Sequence, residues 1–132
     1  MSAVENKELI RNMFAELGRG NADAFLGAMA DDLRYTLIGT SRFSGIFKGK
    51  AELISKLLAP LTAALTDGIA VIPYNLIADG EFVAMQAHGK AMSKNGKPYN
   101  NTYCHVFRIV NGKIVEVTEY LDTELVTSVF GK

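Results

Sequence analysis

Three Asx-Gly pairs, Asp79-Gly80, Asn95-Gly96 and Asn111-Gly112, divide the second half of the chain into runs rich in β-branched and aromatic residues. Such pairs supply the positive-φ positions of tight hairpin turns. The chain from residue 69 onward is therefore expected to form four antiparallel strands, over residues 69–78, 81–93, 99–110 and 113–121. Asp122 can then cap a short terminal helix through Val129. The first half has a different period. Ser2 and Glu5 have capping-box spacing, and Leu9, Ile10, Met13, Phe14 and Leu17 recur at helical intervals. Gly18 and Gly20 stop that helix, and Asn21 can cap a second, short one carrying Phe25, Leu26 and Met29. Residues 33–38 read as a strand and 39–49 as a glycine- and serine-rich loop. A third helix follows, with Leu53, Ile54, Leu57, Leu58, Leu61 and Leu65 on one face, bent or split by Pro60. Helices, one strand, a helix and then a meander predict an α+β fold with helices on one face of the sheet.

Size and charge narrow the function. The 132 residues fit one domain, 1–132, and 48 % hydrophobic with 21 % charged residues is a globular composition. Lys+Arg and Asp+Glu are both 14, with no basic stripe, which argues against nucleic acid and anionic membrane as partners. The single cysteine, Cys104, excludes an internal disulfide and a multi-cysteine metal site. With no signal-peptide pattern and no apolar run of about 18 residues, the expected location is cytoplasmic. No nucleotide-binding motif is present and no cofactor is expected.

Strand residues alternate sides, so the turns decide which side chains meet. A two-residue turn at Asn95-Gly96 sets His88 opposite Tyr103 and Gln86 opposite His105. At Asn111-Gly112 two registers are open. A two-residue loop sets Thr118 opposite His105; a three-residue loop with Gly112 as a bulge sets Val117 opposite His105 and Glu119 opposite Tyr103. In the bulged register one face carries Gln86, His88, Asn101, Tyr103, His105 and Glu119, ringed by Phe107, Val115, Val117 and Leu121. Turned inward, that face is an apolar concavity with convergent polar groups, the usual form of a small-molecule site. The alternative is a buried hydrogen-bonded pair that only fixes the core. Cys104 alternates away from His105, so no Cys–His nucleophile pair is expected. A metal would need both histidines and Glu119 to converge, and none is expected.

The run Gly96-Lys97-Pro98-Tyr99-Asn100-Asn101, with Val106-Phe107-Arg108, Gly112-Lys113-Ile114 and Glu119-Tyr120-Leu121-Asp122, resembles the nuclear-transport-factor-2-like (NTF2-like) superfamily. Its SnoaL-like polyketide-cyclase and ketosteroid-isomerase-like branch is the nearest, and Gly45-Ile46-Phe47-Lys48-Gly49-Lys50 before a helix also fits. The resemblance spans nearly the whole chain. It implies a cone-shaped, strongly curved antiparallel sheet with N-terminal helices closing a pocket (a cystatin-like roll), the bulged register, and a homodimer.

The polyketide cyclases of this type use a histidine and an aspartate on the last two strands, positions that His105 and Glu119 resemble, with Glu replacing Asp. Epoxide-hydrolase relatives use an Asp–Arg–Asp set and a Tyr–Asn pair. Glu119 and Tyr35 match two of these positions, while the others read His88, Gln86 and Leu37, a departure from that chemistry. The tyrosine and aspartates of ketosteroid isomerase have no clean counterpart.

Together these features point to a cofactor-independent enzyme acting by general acid/base chemistry on a small, largely apolar carbonyl or ring compound. Glu119 would be the base, His105 a proton carrier, His88 a second one, and Tyr35 or Tyr103 the hydrogen-bond donor to an enolate oxygen. Gln86, Asn101, Tyr103, Phe107, Val117 and Leu121 would line the ligand. The alternatives are a non-catalytic binding or assembly module and a water-activating hydrolase of an apolar epoxide or ester.

Overall fold

A computed structural model describes residues 2–132. Helix α1 (Ala3–Gly18) opens on the capping box: Ser2 Oγ accepts from Glu5 N–H, and the Glu5 carboxylate accepts from Ser2 N–H. Its apolar stripe buries Ile10, Met13 and Phe14. Helix α2 (Ala22–Gly27) is capped by Asn21, whose Oδ1 accepts from Ala24 N–H. Met29, expected on that helix, instead begins strand β1 (Met29–Leu37), where it is buried and pairs with Ile114.

A short strand, β2 (Gly45–Lys48), lies within the stretch expected to be loop. Four residues with only Phe47 buried carry too little alternation to be read as a strand. The third helix is split, as Pro60 suggested. Helix α3 (Lys50–Leu53) runs into a π-helical turn (Ile54–Leu58) and then α4 (Ala59–Ala63). Pro60 has no N–H for the Lys56 carbonyl and its ring crowds that carbonyl; the wider turn just before it relieves the clash. Leu65 is the first residue of β3, not the last of the helix.

Strands β3 (Leu65–Asp79), β4 (Phe82–Ser93), β5 (Thr102–Val110) and β6 (Lys113–Leu121) form the expected meander. Among the described residues the sheet runs β2-β1-β6-β5-β4-β3, curved and unclosed. All neighbours are antiparallel except β1 and β6, so the first strand lies parallel to the last inside the sheet. The edge strand β3 has a register shift between Pro73 and Asn75, the tolerated setting for a strand proline.

Two loops set the registers. At Asn111-Gly112 both residues have positive φ (50° and 75°), and Val110 pairs with Lys113 across a two-residue turn. A bulge in β6 then shifts the ladder between Arg108 and Ile109, setting Glu119 directly opposite His105 and Val117 opposite Phe107. At Asn95-Gly96 the loop is longer than expected. Ser93 N–H donates to Lys97 O at 2.9 Å, Ser93 Oγ also bonds Lys97, and Gly96 takes a φ of 84°. Three residues, not two, span this turn, and β4 is displaced by one position relative to the expectation.

The concave face carries Leu33, Tyr35 and Leu37 from β1, Val83, Met85 and Ala87 from β4, Tyr103, His105 and Phe107 from β5, and Val117 and Glu119 from β6, all buried. Helix α1 covers this face, with Phe14 against Phe107 at 6.1 Å and His105 at 6.1 Å. Asp122 caps helix α5 (Thr123–Phe130), accepting from Leu125 N–H. The far end of α5 is held from two loops: Lys97 Nζ donates to Ser128 O, Asn95 Nδ2 to Val129 O and Arg42 to Phe130 O.

Candidate functional site

The parallel pairing of β1 with β6 sets Tyr35 beside Val117 and Leu37 beside Glu119. From there the Tyr35 hydroxyl reaches along the concave face and donates to Glu119 Oε1. His105, opposite Glu119 on β5, brings Nε2 to 3.4 Å from the same Oε1, a long polar approach that a small ring movement would close. Both neighbours thus converge on one carboxylate oxygen, and among the described residues no hydrogen bond engages Oε2.

The cluster is enclosed but not sealed: the Glu119 and His105 side chains keep 11 % and 8 % of their surface accessible. His105 stacks on Phe107 (5.7 Å, 9° between planes) with Tyr103 at 5.5 Å. Its Nδ1 is buried without a hydrogen-bond partner. The tautomer that fits carries its proton on Nε2, toward Glu119; the other would bury an N–H with no acceptor. His105 therefore presents a donor to the site.

Burial holds the Tyr35 phenol well above the usual tyrosine range, and the Glu119 charge and hydrogen bond add to the effect. Tyr103 is raised strongly, first by burial and then by Tyr99 and Glu119, and Tyr99 is raised by burial. These hydroxyls stay protonated; Tyr35 donates to Glu119, and the Tyr99 hydroxyl accepts from Asn101 Nδ2. The Tyr103 ring passes close to Gly89, where a Cβ would stand 2.5 Å from its Cε2.

The structure brings His105, Glu119 and Tyr35 together, with Tyr103, Phe107, Val117 and the half-buried Leu121 on the same face. It separates the rest. Gln86 and His88, expected beside His105, lie on the outer face because the three-residue turn moves β4 by one position: Gln86 pairs with Cys104 and His88 with Thr102. Gln86 Oε1 accepts from Asn75, and the exposed His88 stacks on Tyr74 at 4.5 Å. The epoxide-hydrolase positions carried onto these two residues fall on the wrong face, and so does the second proton carrier. The two histidines and Glu119 do not converge, and among the described residues no group of three His, Cys, Asp or Glu side chains could hold a metal. Asn101 is buried, but its side chain is committed to the backbone and to Tyr99, not turned to a ligand.

Sequence reasoning missed Met85 and Ala87, which occupy the inner positions of β4, and Phe14 as a wall against His105. A three-residue reading of Lys94-Asn95-Gly96, with glycine in the left-handed position, would have found the first two. Two surface hollows lie away from the cluster, one of about 470 Å³ between the start of α1 and the turns at Gly80 and Asn111, the other of about 560 Å³ along α1 and α2.

The curved sheet wrapped on helices is an NTF2-like α+β fold. The SnoaL-like domain model matches residues 10–117, and the chain belongs to that family. Solved structures agree on the fold. An NTF2-like protein of unknown function from Burkholderia pseudomallei superposes with a TM-score of 0.85 at 21 % identity, covering 100 % of both chains. A Jannaschia protein provisionally described as a SnoaL-like polyketide cyclase gives 0.80 at 16 % identity, over 98 % of this chain and 93 % of that one. TerC, co-crystallised with polyporic acid, gives 0.82 at 21 % identity, over 96 % and 98 %. No curated protein sequence matches the chain. Among the described residues no helix is long and apolar enough to cross a membrane.

Proposed function

We propose that the protein is a cofactor-independent acid/base enzyme of isomerase, cyclase or dehydratase type, acting on a small, largely apolar carbonyl or ring compound. One observation carries this: Tyr35 and His105 converge on Glu119 Oε1, leaving Oε2 of a mostly buried carboxylate without a partner. In this reading Oε2 removes a proton from carbon next to a carbonyl. The electron pair of the broken C–H bond moves onto the carbonyl oxygen, which accepts a hydrogen bond from Tyr103 or from His105 Nε2–H. Glu119 then returns the proton: to the same carbon this is exchange without net change, and to the vinylogous carbon it is an isomerisation. The aromatic walls, Phe14, Phe107 and Tyr103, supply apolar contact to a flat ligand. The fold neighbour crystallised with polyporic acid supports an organic ligand of this kind.

The test needs no knowledge of the natural substrate. A panel of small cyclic aryl ketones in heavy water should lose α-proton NMR signals faster with the protein than with buffer for at least one member. No acceleration for any of them rejects the acid/base reading and leaves a ligand-binding or assembly module.

A second copy of the chain is the proposed protein partner, in the cytoplasm. The outer face of the sheet leaves Ile72, Tyr74, Ile77, Phe82 and Tyr120 about half exposed, apolar surface that a second copy would cover. Sedimentation should give twice the chain mass of 14.4 kDa, and Tyr74→Asp with Tyr120→Asp should return it to one. A wild-type monomer at tens of micromolar would reject the dimer.

A further inference from the structure

We infer that Asn101 is a positioning residue for the Glu119 base, acting by holding the end of β6 in register. This rests on the acid/base reading above. Asn101 is 1 % exposed and uses its whole side-chain amide. Oδ1 accepts from Thr102 N–H (2.8 Å) and Asp122 N–H (3.0 Å); Nδ2 donates to Asp122 O (3.1 Å) and the Tyr99 hydroxyl (3.2 Å). The two bonds to Asp122 imitate a backbone pair. They fall just where the β5–β6 ladder stops, its last registered pair being Tyr103 with Leu121. The Asn101 carbonyl meanwhile accepts from Gly89 N–H at 2.8 Å, so one residue joins β4, β5 and the end of β6.

The site needs this joint because Glu119 is three residues from Asp122, on a strand already shifted by a bulge at its other end. A slip of one residue would turn the carboxylate out of the concave face. With β6 pinned at Asp122 and by the Ile38 N–H to Glu119 O bond (3.2 Å), the carboxylate has one address, beneath Tyr35 and beside His105. The Asn101–Tyr99 bond also holds the Tyr99 hydroxyl.

Asn101→Ala should lower kcat for α-proton exchange at least tenfold with KM within about twofold, because a misplaced base loses transition-state contact and not ground-state packing. Asn101→Asp should behave alike, its carboxylate facing the Asp122 carbonyl. Leu53→Ala, buried in α3 and not one of the side chains of the cluster, serves as the control: it should cost thermal stability and leave kcat and KM unchanged. Hydrogen exchange of the Asp122 amide, which donates to Asn101 Oδ1, needs no turnover and should quicken in Asn101→Ala. An Asp122 amide unmoved by Asn101→Ala, or a kcat that stays at the wild-type value, overturns the inference. Failure of the wild type to exchange protons overturns the enzymatic reading alone.

Discussion

Glu119→Gln is expected to slow α-proton exchange by about 10²–10⁴-fold while leaving the fold intact, the range spanned by loss of a general base. The amide keeps an oxygen where Tyr35 donates, so the buried phenol retains its acceptor. What disappears is the basic Oε2 and the negative charge. The comparison with Glu119→Ala makes the argument sharper. Alanine would leave the Tyr35 hydroxyl buried without a partner, at a cost of about 1–3 kcal/mol, and would lose activity for reasons mixed with stability. A glutamine variant that melts like the wild type, binds the active ketone with similar affinity and no longer exchanges its proton separates chemistry from packing. Exchange that survives undiminished in this variant would remove Glu119 from the mechanism.

Alkaline unfolding should be the other large effect. Tyr35, Tyr99 and Tyr103 all have raised values in the folded protein, with burial the leading cause in each. A folded value above the unfolded one, about 10, means that the native state holds its protons more tightly. The stabilisation is whole below pH ~10 and is lost as pH rises toward the folded values. In that window the unfolded chain binds fewer protons, so stability falls with slope of roughly 1.4 kcal/mol per pH unit for each fully buried phenol. Tyr35 and Tyr103 add to each other in this window, so stability above pH ~10 falls about twice as steeply as for one buried phenol. Phenolate absorbance and loss of circular dichroism should therefore rise together, and Tyr35→Phe should flatten the limb. Phenolate forming on all five tyrosines at ordinary pH with the fold unchanged would contradict the buried-donor description of the site.

The parts of the fold that were legible in advance are those with local chemistry behind them. Ser2 with Glu5, Asn21 and Asp122 each satisfy the N–H groups of the helix they begin, a matter of a few neighbouring residues. The Asx-Gly pairs located all three hairpins of the meander. What they could not deliver was loop length. Asn111-Gly112 closes a two-residue turn, whereas at Asn95-Gly96 the Ser93 hydroxyl and Lys97 draw one more residue into the loop. That single residue decides on which face of β4 Gln86 and His88 stand. His105 and Glu119 were expected on one face and share it, yet as a direct cross-strand pair. The bulge in β6 that makes them so leaves no mark in the alternation of apolar residues. Tyr35 entered through family resemblance alone, since nothing local links residues 84 positions apart.

The parallel seam between β1 and β6 also governs when the molecule can become itself. Hairpins of the meander close over short loops and can form early, but β1 must wait for the last strand to be made and folded before it gains its central neighbour. Until then the carboxylate has no phenol above it and the first hairpin hangs with an open flank. Docking of β1 against β6 thus completes the sheet and sets the Tyr35 hydroxyl on Glu119 in a single step.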